Sequence, residues 1–278
     1  MIKLNGCEIN IKKFPNGESL ILNDFSGEPT NKKVSGIRNT IELKFESDED
    51  LLHLIFIKKE IDSLCPNTPC ELLIPYLPYS RMDRTEGKTV FTLKWVCDII
   101  NSLFFDRVKT MEAHSNVSLA LLNRVVNIDT TIDLVEKLLH FYHREDCYLF
   151  YPDEGALKRY GKKIKHDKVL CGQKERDFST GEIKKFSIVG ETPKKPFNVI
   201  IADDLCSYGG TFIASANALK AIGADKIYLA VTHCEKTILN GDVLTGDLIT
   251  SVETTNSIID IKDIPEELKN KITIRNIF

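Results

Sequence analysis

Asp203 and Asp204 stand side by side after an apolar, β-rich run (199–202), and Ser207-Tyr208-Gly209-Gly210-Thr211 leads from them into a helix-periodic apolar stretch beginning at Phe212. That order predicts a strand, a tight loop and a helix N-terminus. Backbone N–H groups at a helix start attract anions, and open sheets bind ligands beyond the ends of their strands. Paired carboxylates accept hydrogen bonds from sugar hydroxyls or hold a hydrated Mg2+. Together these residues describe a site for a phosphorylated sugar; the plainer alternative is a strand-to-helix turn with two solvated acids.

Other reactive side chains also fall after short apolar runs. Arg81 and Arg84 flank Asp83 beyond the run 71–76. A guanidinium pair at a strand end can clamp a polyphosphate bidentately, or merely form a solvated ion-paired loop. His114 follows the run 107–111, two residues after Glu112; Asp153 follows 147–151, where it also suits a helix N-cap. Lys174 and Arg176 follow 168–172, at the mouth of a hairpin whose polar tip reads DFSTGEIKK.

The elements that must position these groups alternate. Helix-periodic segments are expected at 51–64 (behind the acidic N-cap stretch Ser47-Asp48-Glu49-Asp50), 91–103, 116–124 and 131–142, with 125–130 as a link. Between them lie the strands, with Phe14 to Glu18 as a turn between two β-like runs near the start. Repeated strand, loop and helix predict an α/β fold of two doubly wound lobes, each a mainly parallel sheet flanked by helices, over 1–128 and 129–278.

Composition excludes several classes. A net charge of −3 over 278 residues gives no footprint for nucleic acid, although the basic cluster at 158–165 suits an anionic small molecule. No apolar run is long enough to span a bilayer, and no charged-then-apolar leader is evident, so a cytoplasmic protein is expected. The eight cysteines are dispersed, and Cys65 and Cys70 lack the second pair a zinc site needs. Most read as small buried apolar residues. Cys206 lies in the binding loop, where it is open to exposure; a catalytic role would need a partnered base, for which His233 is the sequence candidate, and the structural reading is favoured.

The double acid followed by Gly-Gly-Thr resembles the phosphoribosyl-pyrophosphate loop of type I phosphoribosyltransferases and of ribose-phosphate pyrophosphokinases. The rest of the chain is similar to the pyrophosphokinases in the same order. Phe14-Pro15-Asn16-Gly17-Glu18 resembles their Phe-Pro-Asp-Gly-Glu loop, with Asn16 for Asp; Tyr79-Ser80-Arg81-Met82-Asp83-Arg84 resembles Tyr-x-Arg-Gln-Asp-Arg, with Met82 for Gln. Glu112-Ala113-His114 resembles Asp-x-His, and Pro152 to Arg159 resembles Pro-Asp-x-Gly-(Gly/Ala)-x-x-Arg. Thr232-His233 and the stretch 252–257 resemble the C-terminal segments.

The resemblance implies an enzyme that transfers the β,γ-diphosphoryl group of ATP to the anomeric hydroxyl of ribose 5-phosphate and releases AMP. It places ATP on Phe14, Asn16, Glu18, Arg81, Met82, Asp83 and Arg84, and Mg2+ on His114 and Asp153. Lys174 and Arg176 become catalytic cations on a closing loop, and Asp203, Asp204 and Ser207 to Thr211 hold the sugar phosphate. A nucleotide site completed by a neighbour's Phe14 loop implies at least a homodimer. In typical members the acids are followed by Asp-Thr-(Gly/Ala/Cys)-Gly-Thr, so here Tyr208 replaces a hydroxyl that faces the phosphate. That departure, with Glu-Gly-Lys-Thr-Val-Phe-Thr-Leu-Lys at 86–94, looks most like the short phage and bacterial members tied to NAD salvage, some of which use ADP-ribose as acceptor. Both acceptors stay open. So does a catalytically silent regulatory homologue, while a free phosphoribosyltransferase would lack the Phe14 and Arg81 elements.

Overall fold

A computed structural model of the chain describes residues 1–22, 34–85, 87–144, 147–176, 183–193 and 196–278, without the side chains of 174–176 and 183–186. The chain divides into two compact units, Met1–Ile128 and Asp129–Phe278.

In the first unit, alternation at Asn39–Leu43 (β5) buries Asn39, Ile41 and Leu43 and leaves Thr40 and Glu42 half-exposed, the period of a strand with one face on a core. β5 lies in a six-stranded sheet with Ile2–Leu4 (β1), Cys7–Glu8 (β2), Cys70–Leu73 (β6), Arg107–Met111 (β7) and Val125–Ile128 (β8), in the order β2-β1-β5-β6-β7-β8. β5 to β8 are parallel; β1 and β2 are antiparallel additions. Helices Glu49–Leu64 (α1), Thr92–Ser102 (α2) and Asn116–Leu121 (α3) make the crossovers. Leu54, Ile57 and Ile61 of α1 and Leu93, Val96 and Ile100 of α2 close one core over the sheet. Each such side chain contributes about 1.5–3 kcal/mol by leaving water. Asn10–Lys13 (β3) and Ser19–Leu22 (β4) form a separate hairpin.

The second unit runs Thr130–Phe141 (α4), Cys147–Tyr151 (β9), Glu154–Tyr160 (α5), Val169–Arg176 (β10), Ile183–Val189 (β11), Phe197–Cys206 (β12), Gly210–Ala221 (α6), Ala224–Cys234 (β13), Asp242–Thr245 (α7), Ser251–Thr255 (β14) and Ile272–Arg275 (β15). Its sheet has the order β11-β10-β9-β12-β13-β14-β15, parallel except for β11. Side chains of β12 alternate between two cores: Val199 and Ile201 join Phe212, Ala216 and Leu219 of α6, while Ile200 and Ala202 join Leu134 and Leu138 of α4 and Tyr160 of α5. This is a doubly wound arrangement. The order reverses between β9 and β12, the switch point beside which ligands bind.

Outside the strands that carry the site, three boundaries depart from expectation. The link at 125–130 contains the edge strand β8, because Val125–Ile128 pairs along β7. α3 stops at Leu121 instead of 124, its end set by Asn123, whose backbone N–H donates to the Asn101 side chain. The run 71–76 yields strand only to Leu73; Ile74 and Pro75 still tie to β7, Ile74 donating to Lys109 and Pro75 accepting from Met111.

Candidate active site

β12 does not end before the two acids. It continues through Asp203 and Asp204 to Cys206, because β13 pairs with it as far as Cys206 opposite Cys234, although β9 stops pairing at Ile201. Strand alternation then sends Asp203, Leu205 and Ser207 toward one cavity of about 350 Å3, completed by Asp153 and by Tyr208 to Phe212. Asp204, of the opposite parity, is almost fully buried and does not line that cavity. Its carboxylate meets Arg159 Nη1 of α5 at 2.7 Å, and the same nitrogen lies 3.8 Å from Asp203. Burial works against the Arg159 charge, but the Asp204 carboxylate prevails and raises its pKa above the ordinary guanidinium range. Asp203 is pushed the other way for an acid: burial, then the negative charge of Asp204, raise its carboxyl well above the usual range, with Asp153 adding to the effect.

The turn after the acids is fixed by close approaches. Gly209 has φ +81°, and a Cβ there would lie 2.1 Å from Val243 Cγ2. A Cβ on Gly241 would lie 2.2 Å from the Tyr208 carbonyl oxygen, so the floor beneath the turn also has to be glycine. With Gly209 left-handed, α6 begins at Gly210 with its first N–H groups at the cavity, the arrangement that favours an anion. Tyr208 stands out with 60% of its surface exposed. Ser207 Oγ lies 3.0 Å from Thr237 Oγ1, which donates to Glu235 Oε2 at 3.3 Å. Asp153 caps α5, accepting from Ala156 N–H at 3.0 Å.

The first unit carries the remaining described groups. Phe14 to Glu18 joins β3 to β4; Phe14 N–H donates to the Glu18 carbonyl, Gly17 takes φ +90°, and the Phe14 ring is 47% exposed. Asn16 Nδ2 donates to Glu18 Oε2 at 2.8 Å, so these two polar side chains brace each other. Arg81, Met82 and Arg84 are exposed after β6 on a turn that starts at Tyr79, φ +61°, whose hydroxyl bonds Asp48; Arg84 Nε is 3.9 Å from Asp83. His114 follows β7 past Glu112, a buried residue at φ +44° whose N–H donates to Ile128. A left-handed non-glycine residue at a strand end is the kind of strain that accumulates at functional sites.

Lys174 and Arg176 lie within β10 rather than beyond its end, opposite Phe186 and Ile183 of β11; their side chains and residues 177–182 fall outside the described residues. Cys206 is fully buried, not exposed, and its neighbour is Cys234. His233 instead bonds Ser257 Oγ through Nδ1 at 2.8 Å. The basic cluster at 158–165 is partly committed to acids: Arg159 to Asp204 and Lys163 to Asp129. Arg159 is the residue whose role the sequence concealed, since only its place in the Pro-Asp-x-Gly segment marked it off from the lysines. Among the described residues no three His, Cys, Asp or Glu side chains form a ready-made metal cage.

No protein-family model matches the chain. It is 27% identical over 277 residues to a ribose-phosphate pyrophosphokinase of Sulfolobus acidocaldarius, spanning 95% of this chain and 91% of that one. It is 29% identical over 237 residues to the ribose-phosphate pyrophosphokinase of Pyrococcus furiosus, spanning 81% and 77%. The crystal structure of phosphoribosylpyrophosphate synthetase from Mycobacterium smegmatis superposes with a TM-score of 0.76 over 97% of this chain and 86% of that one, at 17% identity, a likeness of fold. The chain is a relative of the ribose-phosphate pyrophosphokinases and has the phosphoribosyltransferase-type fold of phosphoribosylpyrophosphate synthetase.

Proposed function

We propose that this protein is an ATP-dependent diphosphotransferase that moves the β,γ-diphosphoryl group of ATP to the anomeric hydroxyl of ribose 5-phosphate and releases AMP. The observation that carries the reading is the cavity of the second unit. The strand β12 supplies a carboxylate, and the turn after it supplies a hydroxyl and a helix N-terminus, which suits a sugar at one end and a phosphate at the other. Asp203 takes sugar hydroxyls, while Asp204, held by Arg159, acts from behind it. The α6 N-terminus and Thr211 take the phosphate.

On the resemblance, Phe14, Asn16 and Glu18 take the adenosine, with Phe14 stacking on the base, and Arg81 and Arg84 take the triphosphate beside Met82 and Asp83. Lys174 and Arg176 meet the charge that develops on the transferred group. His114 in the first unit and Asp153 in the second are each proposed as ligands to Mg2+. The oxygen-rich cavity suits such a cation, because a positive charge there would relieve Asp203, whose carboxyl is raised first by burial and then by the charges of Asp204 and Asp153. A bound Mg2+ would neutralise phosphate charge, and its other ligands would come from phosphate and water. The Phe14 loop serves a neighbouring copy, which makes the enzyme a homodimer or larger.

One observation favours a second acceptor. Tyr208 exposes most of its ring at the cavity, where it can stack on a further nucleoside. ADP-ribose would then be the acceptor, and the product would serve NAD rebuilding in a phage or bacterial setting. The deciding experiment is AMP release from MgATP with each acceptor offered separately, the products identified by mass. Turnover with ribose 5-phosphate alone supports the first reading, and turnover with ADP-ribose the second. No AMP with either acceptor overturns both and leaves a regulatory homologue.

A further inference from the structure

The hydroxyls beside the cavity have only one consistent proton arrangement. Glu235 carboxylate oxygens accept and cannot donate, so the 3.3 Å contact from Thr237 Oγ1 uses the single Thr237 hydroxyl proton. Ser207 Oγ is 3.0 Å from the same Thr237 oxygen. With the Thr237 proton spent, that contact exists as a hydrogen bond only if Ser207 donates. Ser207 therefore turns its lone pairs, not its proton, toward the cavity it lines. The chain is held in place because Glu235 N–H donates to the Cys206 carbonyl at 2.8 Å, pinning the end of β13 against the end of β12.

We propose that Glu235 and Thr237 are positioning residues that make Ser207 an obligate hydrogen-bond acceptor, so that Ser207 selects a hydroxyl donor on the acceptor sugar and takes no part in holding phosphate. The proposal rests on the sugar-phosphate reading of this cavity. It also accounts for the residue type. The pyrophosphokinase loop resembled by this one has an aspartate at this position, which can only accept, and a serine whose proton is committed elsewhere offers the same face without the charge. Phosphate oxygens are acceptors too, so a lone-pair face repels them. The backbone N–H groups at the start of α6 remain for the anion.

The test is calorimetric binding to the wild type, Ser207→Ala, Thr237→Val, Thr237→Ser and the Ser207→Ala/Thr237→Val pair. The probes are inorganic phosphate and two sugars, ribose 5-phosphate and ADP-ribose. For whichever sugar the wild type binds, Thr237→Val is expected to weaken affinity about tenfold, the worth of one hydrogen bond lost to a released proton. Phosphate affinity should change less than about twofold, Thr237→Ser should restore sugar affinity, and Thr237→Val should add nothing in the Ser207→Ala background. Equal weakening toward sugar and phosphate, additive losses, or undiminished sugar binding by Thr237→Val would each overturn the proposal, as would failure of the wild type to bind either sugar. Failure of the functional reading looks different: sugar binding follows the expected pattern while MgATP yields no AMP.

Discussion

Replacing Arg159 by Met tests whether the Asp203–Asp204 pair depends on a buried cation. The substitution keeps most of the aliphatic stem and removes the guanidinium, with its charge, its hydrogen bonds and its place over the Tyr160 ring. Asp204 would be left with a side chain 6% exposed and without the guanidinium at 2.7 Å; Arg159 itself is 20% exposed, so little of the pairing is lost to solvent. Removing one partner of such a pair costs about 3–5 kcal/mol, which for a unit of this size corresponds to roughly 6–20 °C in melting temperature. Thermal and urea melts of the wild type and Arg159→Met measure it directly. Making Asp204→Asn in the same chain removes the stranded charge, and the remaining cost should fall to about 1–2 kcal/mol, that of the lost hydrogen bonds. If Arg159→Met melts within about 1 kcal/mol of the wild type, or if the double variant is as unstable as the single one, the carboxylate pair does not rely on Arg159 and its compensation by a buried cation is refuted.

Gly209→Ala should cost about 1–2 kcal/mol for its left-handed backbone and about 1–3 kcal/mol more for the contact with Val243, read by urea denaturation. Adding Val243→Ala should recover the second part only. The Glu71 carboxyl is held below its usual range first by the hydrogen bond from Lys109 and also by Arg38 and Arg107. Its stabilisation is therefore present above about pH 4.3 and lost as pH falls through the lower folded value, so the gap between wild type and Glu71→Gln should shrink on acidification; a constant gap refutes this. Asp203 has the opposite sign. Its folded pKa is raised, so its contribution is full below about pH 3.9 and lost as pH rises through the folded value. Asp203→Asn should be more stable than the wild type at pH 8 and indistinguishable at pH 4, and a wild type that gains on the variant with rising pH would contradict it.

Long periodic segments were legible because their burial repeats. α1, α2 and α4 fall within one or two residues of expectation, and the strands at Arg107–Met111 and Cys147–Tyr151 coincide with it. β8 was not, because Val125–Ile128 alternates between half-buried and exposed along a sheet edge and gives no inward apolar face. The strand through Asp203 and Asp204 was hidden by the low strand preference of acids, which the pairing of β12 with β13 overrides. Similarly, nothing local distinguishes Arg159 from the basic residues around it; only the fold of α5 against β12 turns it inward. The Ser207, Thr237 and Glu235 relay joins side chains 30 residues apart, a relation no local pattern carries.

Beyond Ile201, β12 is bordered by a strand on one side only, since β9 has ended. Side chains substitute for the missing neighbour: Thr131 donates to the Asp203 carbonyl at 3.1 Å, and the Asp203 carboxylate takes the Asp204 N–H at 2.9 Å. The second half of the strand is thus a cantilever whose root is anchored in two cores and whose tip carries the binding turn. In hydrogen-exchange terms, the amides of β12 should divide near Ile201, with slow exchange up to it and faster local opening from Asp204 to Cys206. A ligand that engages the Asp203 carboxylate competes directly for the bond that protects the Asp204 amide. Occupancy of the cavity is then written into the exchange rate of a backbone group that never touches the ligand.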